Sequence, residues 1–267
     1  MLGSSEKPDG YDGMFTLNQG FKGYSLRRHL GDLSSVVPSA SSCGPGIFPQ
    51  LSCYSCFNSD LSGGETMSDS SQLQLQGQRQ AIRQHVRHLR HALTDEQQEQ
   101  AAEQLAEHAL NYAPITAAQN VALFLSVDGE LNTRPLIARL WQQKKQVFLP
   151  VLHPFSPGNL LFLRYSTETQ LVRNKLRIPE PPLDIRQLIT LDQLDVMMVP
   201  LVAFDQYGQR LGMGGGFYDR TLQNWRQHGF LPVGLAHDCQ RVDSLPVADW
   251  DVPLPAIMTP SKLWQWE

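Results

Sequence analysis

Residues 194–220 read LDVMMVPLVAFDQYGQRLGMGGGFYDR. The stretch opens on the longest apolar strand candidate of the chain, LDVMMVPLVAFD (194–205), and ends with four glycines in five positions, two aromatics, an aspartate and an arginine. A near-continuous hydrophobic run predicts a strand covered on both faces, as in parallel sheets. The glycines predict a loop that joins this strand, ending near Phe204, to a helix from about Phe217 to His228 with Tyr218, Leu222 and Trp225 on one face. In open α/β sheets, ligands sit at such junctions, beyond the carboxyl ends of the strands.

The neighbouring segments extend the pattern. Ile82, Val86, Leu89 and Leu93 recur at helical spacing, and Thr94 with Gln97 forms a capping box that starts a second helix running to about Tyr112. NVALFLS (120–126) reads as a buried strand, Thr133 as the cap of a helix through RPLIARLWQQKK, and QVFLPVL (146–152) as the next strand, together a βαβ unit. NLLFLRY (159–165) is a further strand candidate, NKLRIPEPPLD a proline-rich connection, and PVGLAH (232–237) and PLPAIMTP (253–260) two more short strands. The expected fold is α/β: a three-layer, open, mostly parallel sheet with helices on both faces, Rossmann-like, in a single domain.

That domain is expected to occupy 67–267. Residues 1–66 hold ten of the twenty glycines, are rich in serine and show no sustained period. They read as a disordered extension or the product of an upstream start, with Met67 as the expected true start. Cys53 and Cys56 make a CxxC there, but with only Cys43 and His29 nearby at irregular spacing the four ligands of a structural zinc site are missing. A net charge of −4 and a pI near 6.1 argue against a protein that coats nucleic acid or anionic lipid. With no membrane span or secretory signal and few cysteines, the reading is a cytoplasmic protein, a monomer with small-molecule partners.

The glycine loop carries the chemistry. Without side chains, Gly212, Gly214, Gly215 and Gly216 can turn backbone N–H groups towards an anion, and the start of the following helix favours phosphate. Arg210 adds a bidentate charge, and Asp219 can hold a Mg²⁺ that bridges phosphate oxygens. The order GxGGGFYD is neither the dinucleotide GxGxxG nor a Walker A loop. The alternative is a flexible turn in which Asp219 only complements the helix dipole.

PLVAFDQYGQRLGMGGGFYDR (200–220), FLSVDGELNT (124–133) and an arginine-bearing first helix together resemble the 5-formyltetrahydrofolate cyclo-ligase (methenyltetrahydrofolate synthetase) family over about 75–267. The resemblance implies ATP- and Mg²⁺-dependent cyclisation of 5-formyltetrahydrofolate to 5,10-methenyltetrahydrofolate. It puts Arg210 and Tyr218 in catalytic roles. RQAIR (79–83) matches the family's Lys/Arg-xx-Leu-Arg element, with arginine where lysine is common. ATP binding is thereby implied for Arg79, Gln80, Ala81, Ile82 and Arg83, and for the run Arg210, Leu211, Gly212, Met213, Gly214, Gly215, Gly216, Phe217 and Tyr218. Folate binding is implied for Leu125, Glu130 and Met213 to Phe217, the metal for Asp219 and Asp251.

Each assignment has a plainer alternative. Arg79, Arg83, Arg87 and Arg90 could be a solvated stripe, Glu130 a loop carboxylate near a helix start, and Asp251 a turn residue. His237 and Asp238 resemble an HD metal pair but lack further ligands and read as structural, and Cys239 has no evident base partner. Two other functions stay open: a sugar-phosphate isomerase or CoA-transferase-like enzyme, which would turn over without ATP, and a non-catalytic nucleotide- or RNA-binding module, which would bind RNA in a salt-sensitive way.

Overall fold

The computed structural model describes residues 69–266. The extension assigned to 1–66, its cysteines and Met67 therefore lie outside the described residues. Three helices come first, α1 (Asp69–His91), α2 (Asp95–Asn111) and α3 (Ala113–Ala117). The predicted capping box starts α2: Gln97 N donates to Thr94 Oγ1 at 3.2 Å and Thr94 N to Gln97 Oε1 at 2.9 Å. There follow β1 (Asn120–Ala122), α4 (Arg134–Gln142), β2 (Gln146–Leu152), β3 (Leu160–Tyr165), β4 (Val172–Arg173), β5 (Pro179–Glu180) and β6 (Leu188–Ile189). The last part holds β7 (Val196–Pro200), β8 (Ala203–Phe204), β9 (Arg210–Leu211), α5 (Phe217–Leu222), α6 (Trp225–His228), β10 (Leu231–Leu235), β11 (Ala256–Met258) and β12 (Leu263–Gln265).

Eight strands form the main sheet in the order β12-β11-β10-β7-β1-β2-β3-β6. The five from β11 to β2 are parallel, while β12 at one edge and β3 and β6 at the other are added by antiparallel pairing. The sheet is thus mixed but mostly parallel. Consecutive residues of β7 bury on opposite faces, as the apolar run implied. Met198 joins Leu105, Leu123, Leu136 and Val233 in one core, and Met197 joins Phe148, Phe162, Phe230 and Ile257 in the other. A smaller cluster of Val86, Val202, Ala203 and Leu211, with Ile82 against it, fastens α1 to β8 and β9.

Four local expectations are corrected. LDVMMVPLVAFD is not one strand: β7 ends at Pro200, and β8 folds back on β9, pairing Ala203 with Leu211 and Phe204 with Arg210. The reversal is made by Asp205, whose Oδ1 accepts from Tyr207 N at 2.9 Å and Gln209 N at 3.2 Å, and by Gly208 at φ +77°. The helix expected over 217–228 is two short ones, because Asn224 leaves the helical region (φ −120°, ψ 29°) to stand as the N-cap residue of α6. The strand in NVALFLS covers only Asn120–Ala122. Thr133, at the start of α4, makes no side-chain cap and instead donates from Oγ1 to Phe124 O at 2.6 Å.

Gly234 lies in β10, where a Cβ would stand 2.8 Å from Ile257 Cγ1 and Leu201 Cδ2 and 2.9 Å from Leu254 Cδ1. Gly234→Ala is expected to overpack the core and lower stability by about 1–3 kcal/mol in urea unfolding.

Candidate active site

The chain winds outward in both directions from the pair β1 and β7, with β2 beside one and β10 beside the other. This is a switch point, and the segments that leave β1 and β7 at their carboxyl ends flank the crevice where open sheets bind ligands. From β1 comes the turn ending at Glu130; from β7 come the β8–β9 hairpin and the glycine loop.

Helix α1 ties these segments together through its arginine stripe. Arg79 forms a two-pronged pair with Asp251, Nη1 to Oδ2 at 2.5 Å and Nη2 to Oδ1 at 2.8 Å, and Nη1 also reaches Pro246 O at 3.3 Å. One turn on, Arg83 Nε donates to Gly212 O at 2.8 Å. Arg87 and Arg90 both bind Asp128, and Arg90 is completely buried. The stripe is thus a paired seam and not a free solvated face, although Arg87 stays half-exposed. Of the other residues of RQAIR, Gln80 and Ala81 are exposed and Ile82 packs against the hairpin cluster.

The glycine loop hangs between β9 and α5. Gly214 (φ +96°) and Gly216 (φ +66°) adopt left-handed backbone that other residues rarely hold. Leu211 is buried, Met213 is exposed, and Phe217 has the Arg220 guanidinium 5.8 Å from its ring centre. Because α5 spans only six residues, its dipole is a weaker phosphate attractor than the sequence implied. Cationic side chains stand beside the loop, Arg83 bonded to Gly212 O and Arg220 to Gly215 O. Arg210 is buried at the loop's start and donates from Nη2 to Asp219 Oδ1, leaving its Nε without a partner.

Glu130 and Tyr218 lie close enough to interact electrostatically, although they come from opposite walls. The Tyr218 hydroxyl is buried and unpartnered, and burial first, then the Glu130 carboxylate, push its pKa up. Burial likewise pushes Glu130 up to about 7, against the opposing pull of the Val127 backbone hydrogen bond and of Arg90. Leu125 is buried in the core just past β1. Among the described residues, Arg90 Nε and Nη1, Arg210 Nε and the Tyr218 hydroxyl are buried without a hydrogen-bond partner.

The two carboxylates assigned to the metal both face arginines. Burial raises the pKa of Asp251, but the Arg79 bonds and the Ala248 N–H more than offset this and hold it below its ordinary value. Arg79, Arg210, Asp219 and Asp251 influence one another and form a charge-balanced cluster. No group of three His, Cys, Asp or Glu side chains suited to a metal gathers among the described residues. His237 lies apart from this cluster, buried and pushed down to about 4 by burial and Arg90, while burial raises the Cys239 thiol. The sequence reading missed Asp128 and Arg220. Arg220 straps two loops, donating to Gly158 O and Gly215 O at 2.7 Å each. Only the Asp-Gly turn signal at 128–129 hinted at the first, and nothing local at the second.

A model described as the 5-formyltetrahydrofolate cyclo-ligase family matches residues 75–260. The chain belongs to that family. It is 60% identical over 181 residues to 5-formyltetrahydrofolate cyclo-ligase of Escherichia coli (strain K12), covering 68% of this chain and all of that protein. The Haemophilus influenzae enzyme of the same name is 53% identical over 176 residues, 66% of this chain and 94% of its own. Among solved structures, the Aquifex aeolicus 5,10-methenyltetrahydrofolate synthetase matches with a TM-score of 0.61 at 27% identity, covering 70% of this chain and 92% of that one. Among the described residues, no helix is long and apolar enough to cross a membrane.

The raised pKa of Glu130 has a testable sign. Between its ordinary value of 4.5 and about 7, the folded state keeps a proton that the unfolded state has released, so stability falls as pH rises through this window. Glu130→Gln removes the penalty. Relative to the parent, the variant should gain stability from pH 4.5 to pH 7.5, on the order of 2–3 kcal/mol by urea unfolding. A difference that stays constant with pH would contradict the buried-carboxyl assignment.

Proposed function

We infer that this chain uses ATP to cyclise 5-formyltetrahydrofolate to 5,10-methenyltetrahydrofolate, releasing ADP and phosphate. The observation that carries the reading is the 60% identity that extends over the entire E. coli cyclo-ligase. All residues assigned below fall within the family match at 75–260, and we place the activity in 67–267. Since one chain supplies every one of them, a monomer should suffice.

A formyl oxygen is a poor leaving group. In the proposed route it attacks the γ-phosphorus of ATP, and the bond to the β-phosphate oxygen breaks to release ADP. N10 of the folate then closes on the activated carbon, loses its proton, and expels the oxygen as phosphate. Such a reaction needs positioning and charge neutralisation above all. Arg79, Arg83 and Arg210 are the cations assigned to the phosphates, with the backbone of Leu211 to Phe217 as the cradle. Burial of Arg210 strengthens its interaction with charge that develops during transfer. Glu130 is assigned to the pterin, whose amino group and ring N–H match a carboxylate, and the buried Tyr218 hydroxyl to a polar atom of the reacting assembly. Leu125, Met213 and Phe217 would supply apolar contact.

The donor set fits Mg²⁺ in the way that nucleotide sites use it: two hard carboxylates, Asp219 and Asp251, with the remaining positions left to phosphate and water. The ion would supply further neutralisation of phosphate charge. Arg79 pairs with Asp251 and holds its pKa below the ordinary value, Arg210 pairs with Asp219, and incoming phosphates would compete for the same arginines.

The purified chain should form 5,10-methenyltetrahydrofolate, read by its absorbance, only with both ATP and Mg²⁺ present. Turnover without ATP would overturn the reading. Arg79→Ala should raise KM for ATP by about tenfold or more, and Asp219→Asn should shift the Mg²⁺ dependence to higher concentration by a similar factor, as expected for lost charge-assisted contacts.

A further inference from the structure

Asp128 holds a larger share of the charge in this crevice than a turn residue needs. Its backbone is left-handed, at φ +53°, a conformation that costs a non-glycine residue on the order of 1 kcal/mol. Three side chains from the last turns of α1 converge on it. Arg87 grips both oxygens, Nε to Oδ2 at 2.6 Å and Nη2 to Oδ1 at 2.8 Å. Arg90 Nη2 donates to Oδ2 and also to the Asp128 carbonyl oxygen, each at 2.7 Å, and His91 Nε2 lies 2.9 Å from Oδ1. Next in the chain, Gly129 O accepts from Gln98 Nε2 at 3.3 Å, so α2 also holds the turn.

Burying the Arg90 guanidinium is unfavourable unless it is well paired, and among the described residues its Nε and Nη1 find no hydrogen-bond partner. A surface turn would need no such investment. The segment it restrains is the one that presents Glu130. Glu130 N donates to Val127 O at 2.9 Å and Val127 N to Glu130 Oε2 at 3.2 Å. The Val127–Glu130 turn is therefore closed on itself and anchored to α1 through Asp128. A shift of the anchor would carry the Glu130 carboxyl with it.

We propose that Asp128, gripped by Arg87, Arg90 and His91, is a positioning residue that sets where the Glu130 carboxyl stands against the folate. The inference rests on the reading of Glu130 as the pterin partner. It separates two duties along one helix: the first two arginines of the seam face the nucleotide side, and the last two arginines with His91 serve the folate side.

The decisive variant is Asp128→Asn, because asparagine shares the tolerance of aspartate for left-handed backbone and the change removes the charge without removing the turn. KM for 5-formyltetrahydrofolate should rise by about tenfold, as a displacement of around 1 Å in a binding group allows, while KM for ATP changes by less than about twofold. Arg87→Ala, at a half-exposed position, should move the same constant in the same direction. The closing measurement is a double-variant cycle. In a Glu130→Gln background, Asp128→Asn should have little further effect on folate KM, because the group it positions is gone. Full additivity, or equal rises in the two KM values, would overturn the inference by showing a general structural role. If Glu130→Gln alone leaves folate KM unchanged, the pterin assignment falls instead, and the cycle identifies which of the two has failed.

Discussion

A buried guanidinium needs a carboxylate, and this crevice is organised around that requirement. Arg90 and Arg210 are almost wholly buried, and each is met by an aspartate, Asp128 and Asp219. Arg79, little more exposed, is met by Asp251. Leaving any of these charges unpaired away from water would cost several kcal/mol, so the segments that carry the three aspartates are restrained to lie where the arginines are. The Arg90 and Arg79 pairs link α1 to segments 38 and 172 residues away. Local propensity has no means to do this.

The sheet provides the frame on which those pairs form. The parallel strands β1 and β7 direct two chain segments from the same edge, and the apolar contact of Val86 and Ile82 with the β8–β9 hairpin lays α1 across them. Once α1 is docked, arginines at i, i+4, i+8 and i+11 meet their partners in order. The folded chain thus brings paired arginines and aspartates and the Glu130 carboxyl together at the ends of β1 and β7. Around these pairs, polar atoms of Arg90, Arg210 and Tyr218 stay buried without a partner among the described residues.

Part of this was legible in the chain. Alternation and run length placed β2, β3 and β7, and the side-chain chemistry of Thr94 and Gln97 placed the start of α2, because these signals act over a few residues. The glycine loop could be located because left-handed backbone at Gly214 and Gly216 restricts residue choice. The hairpin at 203–211 was hidden by its own hydrophobicity: Leu201 to Phe204 are buried whether they extend a central strand or turn back. The break at Asn224 was hidden in the same way by the apolar spacing of Leu222 and Trp225 across it.

The sequence by itself determined the fold class, the family motifs and the residue types that phosphate and folate chemistry would use, since each is encoded by composition and spacing within short segments. Only the tertiary structure decided partners. It turned the arginine stripe inward, set Asp219 against Arg210 and Asp251 against Arg79, raised the Glu130 pKa by burial, and revealed Asp128 as the point on which two arginines and His91 converge. Pairing of charges and loss of solvent depend on which distant segments come together, and no local pattern in the chain records that.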